Sequence, residues 1–183
     1  MKRKVIGIVG SGTDSWQEYT EPLAVWIARA QYHLLTGAGN GVMSCASAAF
    51  VNVTNRRGLC LGIVPTIEDS QKGYVPLENY PNPWVELAIY SPLGTFKNSF
   101  KVGKSSISRN HTCVLSSDVL VALPGQLGTK NEIALAKEYN KPLILFAPSS
   151  EMSDFPASLP RTDSLSNVIE FVETQLARTN KDK

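Results

Sequence analysis

The stretch ALPGQLGTKNEIALA, residues 122 to 136, runs an apolar strand-like segment into a glycine loop and then into a helix-like segment. Gly125 and Gly128 bracket the loop, and Thr129 and Glu132 fall where the helix should begin. At such a start, backbone N–H groups without intrahelical partners and the positive end of the helix dipole favour an anion. Glycines let the backbone approach an oxygen closely, and the Thr129 hydroxyl adds a donor. The same residues have a second reading, because Thr129-x-x-Glu132 has the spacing of a capping box. Pattern alone leaves both open: a phosphate cradle with Glu132 turned toward an attached sugar, or a capped helix.

Two further glycine loops follow apolar segments. Gly10-Ser11-Gly12 is the shorter, and a plain turn explains it as well as a ligand does. Gly37-Ala38-Gly39-Asn40-Gly41 is richer, but Val42 stands where the G-x-G-x-x-G dinucleotide fingerprint needs its last glycine. No G-x-x-x-x-G-K-[ST] occurs, which disfavours P-loop phosphoryl transfer. Arg109 has the guanidinium fork that suits a phosphate. His33 and His111 are far apart and read as structural, so a histidine metal site or a serine triad has little support. Trp84 and Tyr90 flank an apolar strand and read as core.

These residues need elements to hold them, and strand and helix signals alternate along the chain. Val5 to Val9 is apolar on both faces, as a strand covered by helices on each side should be. Ser15 and Glu18 have capping-box spacing. Leu23, Trp26, Ile27 and Ala30 make the apolar stripe of a helix, whose start Pro22 pushes later. Tyr32 to Thr36 reads as a strand, Val42 to Val53 as a small-residue helix, Leu59 to Val64 as a strand, and Trp84 to Tyr90 as another. Residues 65–83 lack periodicity and form a long loop, a kind of segment that is usually functional or mobile; 92–104 is a second. A helix over Ser105 to Ser117 precedes a strand over Val119 to Leu123. A helix over Lys130 to Tyr139 and a strand over Leu143 to Phe146 follow. Residues 147–163 read as irregular, and Leu165, Val168, Ile169, Val172 and Leu176 mark the last helix before a polar tail at 178–183.

This order predicts an α/β fold: a single domain over residues 1–183, its sheet mostly parallel with helices on both faces and right-handed crossovers. Ligands of such sheets bind beyond the carboxyl ends of the strands, where strand order reverses. The loops at 10–13, 37–41 and 124–129 all lie at expected strand ends and so converge on one crevice.

Bulk properties narrow the partners. The chain has 183 residues, 43% hydrophobic and 19% charged, which describes an ordinary globular protein with a substantial core. A net charge of +2 is too small to imply nucleic acid. No apolar run approaches the length of a bilayer-spanning helix, and no signal peptide is evident. Cys45, Cys60 and Cys113 are scattered, which suits a reducing cytoplasm and buried thiols rather than disulfides or zinc. Cytoplasmic localisation is the expectation, with no membrane and no catalytic metal ion.

The segment SRNHTCVLSSDVLVALPGQLGTKNEIALA resembles the signature of the Rossmann-like superfamily that includes the Lonely Guy cytokinin-activating phosphoribohydrolases and the molybdenum cofactor carrier proteins. Its hallmark is P-G-G-x-G-T-x-x-E after a strand, with an arginine on the previous helix. The counterparts are Pro124-Gly125-Gln126-Leu127-Gly128-Thr129-Lys130-Asn131-Glu132 and Arg109. LLTGAGNGVMSCASAAF is similar to the superfamily's glycine loop. Departures are visible too: Gln126 replaces the second glycine, Asn110 stands where the phosphoribohydrolases have lysine, and Ser106 replaces a methionine. These bring the chain closer to the carrier branch.

The resemblance implies a binding protein for a phosphorylated small molecule, molybdenum cofactor (molybdopterin) or a nucleotide, with molybdoenzymes as possible recipients. Its site comprises Gly10, Ser11, Gly12, Gly37, Gly39, Asn40, Gly41, Arg109, Asn110, Pro124, Gly125, Gln126, Leu127, Gly128, Thr129 and Glu132. The alternative is a nucleoside 5′-monophosphate phosphoribohydrolase, in which Arg109 and Glu132 are catalytic. Such a reaction needs a carboxylate against developing sugar charge, which Glu132 supplies; Asp14 or Glu86 would enter from other loops as a second acid. A homo-oligomer, dimer or higher, is a further implication of the resemblance.

Overall fold

The computed structural model describes residues 3–93 and 107–179. The loop expected at 92–104 lies, from residue 94 onward, outside the described residues, as do Ser105 and Ser106 and residues 180–183 of the tail.

The strands are β1 (Val5–Val9), β2 (His33–Thr36), β3 (Cys60–Asp69), β4 (Gly73–Pro76), β5 (Leu87–Ser91), β6 (Val119–Ala122), β7 (Leu143–Phe146) and β8 (Arg161–Thr162). The helices are α1 (Gln17–Arg29), α2 (Val42–Val51), α3 (Arg109–Ser116), α4 (Leu127–Glu138) and α5 (Leu165–Thr179). The strands form one eight-stranded sheet in which β4-β3-β2-β1-β6-β7-β8 are neighbours and β5 pairs with β3. Among the described pairings only β3 with β4 is antiparallel. Strand order reverses between β1 and β6, whose register sets Ile6 opposite Val119 and Val9 opposite Ala122. The switch point therefore lies between loops 10–13 and 123–126.

The period-2 alternation of the central strands divides the core. Ile6, Ile8, Val119 and Val121 face α1, α2 and α5, where Leu23, Ile27, Phe50, Val168 and Val172 complete a cluster. Val9, Leu120 and Ala122 face the opposite side with Val114, Ile133, Leu135 and Ala136. A sheet covered on both faces needs continuously apolar strands, and every residue of β6 and β7 is buried.

Several boundaries differ from the expectation. Helix α1 starts at Gln17 after Trp16, which takes left-handed backbone angles, and no side chain caps it, so the Ser15–Glu18 box does not form. Pro22 lies inside this helix. The buried stripe of Leu23, Ala24, Ile27 and Ala28 outweighs the one backbone hydrogen bond that proline removes. Strand β3 runs five residues past Val64, and residues 66–69 fold back onto β4 as a hairpin, so part of the segment read as loop is sheet. Trp84 and Tyr90 are not core: they are 42% and 53% exposed, because β5 is an edge strand with only β3 beside it. Within 147–163, a 3-10 turn (Ser149–Met152) and the short β8 break up the irregular stretch.

Candidate functional site

Helix α4 begins at Leu127, three residues earlier than its apolar pattern indicates, with Gln126 as N-cap and no side-chain cap. This removes the capping reading of Thr129 and Glu132. Glu132 lies more than a turn inside the helix and cannot reach back to the cap, so the capping box is not formed. The first helical bond is donated by the Lys130 amide to the Gln126 carbonyl, 3.0 Å. Among the described residues the amides of Leu127, Gly128 and Thr129 find no acceptor. Three donors and the helix dipole thus converge at the switch point of the sheet, an arrangement that suits an oxyanion.

The surrounding loops are built to hold this turn. The Ser11 amide donates to the Pro124 carbonyl, 3.0 Å, and the Val42 amide to the Ser11 carbonyl, also 3.0 Å. The three glycine loops therefore meet, as their positions at strand ends indicated. Thr129 is buried, and a Cβ on Gly125 would strike its Oγ1 and come within 2.8 Å of the Ser11 nitrogen. Glycine at 125 is thus a packing requirement. Gly128 is different: a Cβ there would meet nothing within 4 Å.

Gly10, Gly37, Gly39 and Gly41 make room for protein rather than for open space. A Cβ at Gly37 would run into the guanidinium of Arg109, at Gly39 into Met43 and the Tyr80 phenol, and at Gly10 into Val42. Gly41 has a positive φ of 62° and packs against the Ser11 carbonyl. Gly12 has only Met43 near it, at 4.0 Å. Ser11 spends its hydroxyl on Thr13 and Asp14, accepting from both of their amides. The Asn40 carbonyl accepts from the Met43 amide at 3.3 Å, in the first turn of α2.

Arg109 is the first residue of α3. Its Nη1 donates to the Gly37 carbonyl, 3.1 Å, and lies 3.7 Å from Cys113 Sγ. Burial works against its charge, but Cys113, Glu132 and Tyr80 together raise its pKa. Glu132 is 8% exposed. Burial pushes its carboxyl up to about 7, with Arg109 pulling the other way. The described ion pairs do not join the two residues. The Cys113 thiol is pushed up to about 12 by burial, against the pull of Arg109, and is inert as a nucleophile. Asn110 points elsewhere, its amide donating to Asn131 Oδ1, 3.0 Å, and tying α3 to α4. His111 and Ser108 form a capping box at the start of α3, and His33 Nδ1 accepts from the Leu59 amide.

The residue missed from the sequence is Tyr80. The loop that carries it is clasped to the second glycine loop by Asn82, whose amide N donates to Ala38, 2.8 Å, and whose side chain donates to the Gly39 carbonyl, 3.0 Å. The only available signal was the length of segment 65–83. Of the two acids offered as partners for Glu132, Glu86 is taken up in an ion pair with Arg56 at 2.8 Å. Asp14 lines a cleft of 290 Å³ with Ser11, Pro124, Gly125, Gln126, Glu151 and Asp154. That cleft borders the 124–126 turn, but neither Arg109 nor Glu132 lines it. Among the described residues no cluster suits a metal ion, and no helix is long and apolar enough to cross a membrane.

Strand order, converging loops and an uncapped helix start define a Rossmann-like α/β protein with three unpaired amides at its switch point. Residues 3–176 match the SLOG cluster4 family, and the chain belongs to that family. It is similar to the molybdenum cofactor binding protein of the phototrophic bacterium Rippkaea orientalis, at 28% identity and a TM-score of 0.69, over 96% of this chain and 99% of that one. The molybdenum cofactor carrier protein of Chlamydomonas reinhardtii matches at 25% identity and 0.69, with the same coverage. DNA processing protein A of Helicobacter pylori, at 16% identity and 0.63, over 93% of this chain and 80% of that one, shares the fold. No curated protein matches the chain.

Proposed function

We propose that this protein binds a phosphorylated small molecule, and that molybdenum cofactor is the ligand the relatives favour, carried toward molybdoenzymes in the cytoplasm. The phosphate would lie on the amides of Leu127, Gly128 and Thr129, with Arg109 as the nearby cation and Glu132 facing the next group of the ligand. One observation carries this reading: three consecutive helix-start amides without a protein acceptor, at the point where strand order reverses. The carrier proteins among the structural relatives support the choice of ligand.

The test removes one donor without disturbing the fold. Proline is well tolerated at the first position of a helix, where its missing N–H breaks no intrahelical bond. Leu127 holds that position, and its side chain is 58% exposed. Leu127→Pro should weaken binding of ribose 5-phosphate about tenfold or more, because a hydrogen bond to a charged group is worth about 1.5–3 kcal/mol. Unchanged affinity in the folded variant would remove the phosphate from this turn.

A second reading, hydrolysis of a nucleoside 5′-monophosphate to free base, is favoured by Glu132. A buried carboxyl with a pKa of about 7 beside a guanidinium is suited to proton transfer near neutral pH. Release of adenine from AMP that disappears in Arg109→Ala and Glu132→Ala would establish turnover; no release from protein that binds AMP would exclude it.

A further inference from the structure

Two surfaces beside the phosphate seat could take the rest of the ligand. The cleft toward residues 150–155 carries Asp14, Glu151 and Asp154, the last paired with Lys130 at 2.8 Å. A ligand that bears a phosphate is repelled by such a wall. The other side carries Arg109, Glu132 and Tyr80. There the Glu132 carboxyl is more than nine-tenths buried, and it has no hydrogen-bond partner among the described residues. The Tyr80 phenol also has none.

Tyr80 is half-buried, with its hydroxyl and ring edge against Gly39 and beside Met43, and close enough to Arg109 to act on its charge. Its loop is fixed by the two Asn82 hydrogen bonds. An aromatic ring held rigidly beside a guanidinium offers a planar platform of low entropic cost.

Accepting the phosphate seat described above, we infer that Tyr80 is the platform for a flat heterocycle. It would make the site selective for a ring-bearing phosphate, a pterin or a purine, over a bare sugar phosphate. Pterins and guanine share the 2-amino-4-oxopyrimidine ring, so GMP is the practical probe.

Isothermal titration with GMP and with ribose 5-phosphate separates this inference from the phosphate reading. Wild-type protein should bind GMP at least about fivefold more tightly than ribose 5-phosphate, the lower end of what base–aromatic stacking contributes. Tyr80→Ala should remove that preference and leave ribose 5-phosphate binding unchanged, which also reports an intact phosphate seat. Tyr80→Phe, which keeps the ring, should retain the preference. Equal affinity for both ligands in the wild type overturns the inference and leaves the phosphate reading standing. A preference that survives Tyr80→Ala, a parallel loss of both ligands, or a fall in Tyr80→Phe matching that in Tyr80→Ala also overturns it. So does a preference lost in Glu151→Ala instead, since the ring would then lie in the acidic cleft. Wild-type protein that binds neither ligand removes both.

Discussion

Replacing Glu132 by glutamine should make the protein more stable at alkaline pH and leave it little changed at acid pH. The carboxyl is 8% exposed, and burial raises its pKa from 4.5 to about 7. Between those values the folded chain keeps a proton that the unfolded chain has lost. Stability linked to this group is therefore fully present below pH 4.5 and is lost as pH rises through about 7. A shift of that size is worth about 3 kcal/mol at 1.36 kcal/mol per unit. Glutamine is neutral throughout, so the variant should match the wild type near pH 4.5 and exceed it by about 3 kcal/mol at pH 8. For a chain of this length that is a rise in Tm of about 6–12 °C. Thermal unfolding followed by circular dichroism at pH 4.5, 6, 7 and 8 tests it. The decisive quantity is the difference between the two curves: an offset constant across pH, or a variant less stable at pH 8, refutes a buried, proton-holding Glu132. Arg109→Met, which removes the opposing charge, should move the wild-type decline to higher pH.

The remaining predictions concern packing and charge. Gly125→Ala should cost about 1–3 kcal/mol in urea unfolding, because the added methyl strikes Thr129 and crowds Ser11; an unchanged midpoint would contradict that packing. Gly128→Ala, which meets open space, should keep or raise stability by up to about 1 kcal/mol as a helical glycine is replaced. The same change should weaken ribose 5-phosphate binding by titration, so a loss of stability without a loss of affinity would reverse the assignment. Arg56 binds both Glu86 oxygens at 2.8 Å. Burial draws the Glu86 pKa upward, but Arg56 and the Cys60 amide hold it below the ordinary value. Arg56→Ala should cost about 2 kcal/mol at pH 7 and progressively less as acid protonates Glu86; a loss that does not shrink in acid would count against the pair.

The parts legible in the sequence were those fixed by local pattern. The β-branched runs at 5–9 and 119–123 and the stripe from Leu165 to Leu176 report their own burial, and glycine loops at strand ends imply convergence. What escaped depends on distant neighbours. Thr129 and Glu132 have capping spacing in any sequence, and only the helical course of Leu127 and Gly128 shows that no cap forms. Trp84 and Tyr90 look like core until β5 proves to be an edge strand. Gly37 and Gly39 look like places for a ligand, yet their space belongs to Arg109, 72 residues away, and to Tyr80. Asn110 and Asn131 have no recognisable spacing, and their hydrogen bond becomes visible only once α3 and α4 are adjacent.

The loop at 37–41 works as a mould for two residues delivered from separate stretches of chain. Filling either hollow would dislodge an arginine or a tyrosine before touching any ligand. Loss of binding after substituting Gly37 or Gly39 would thus be damage at one remove.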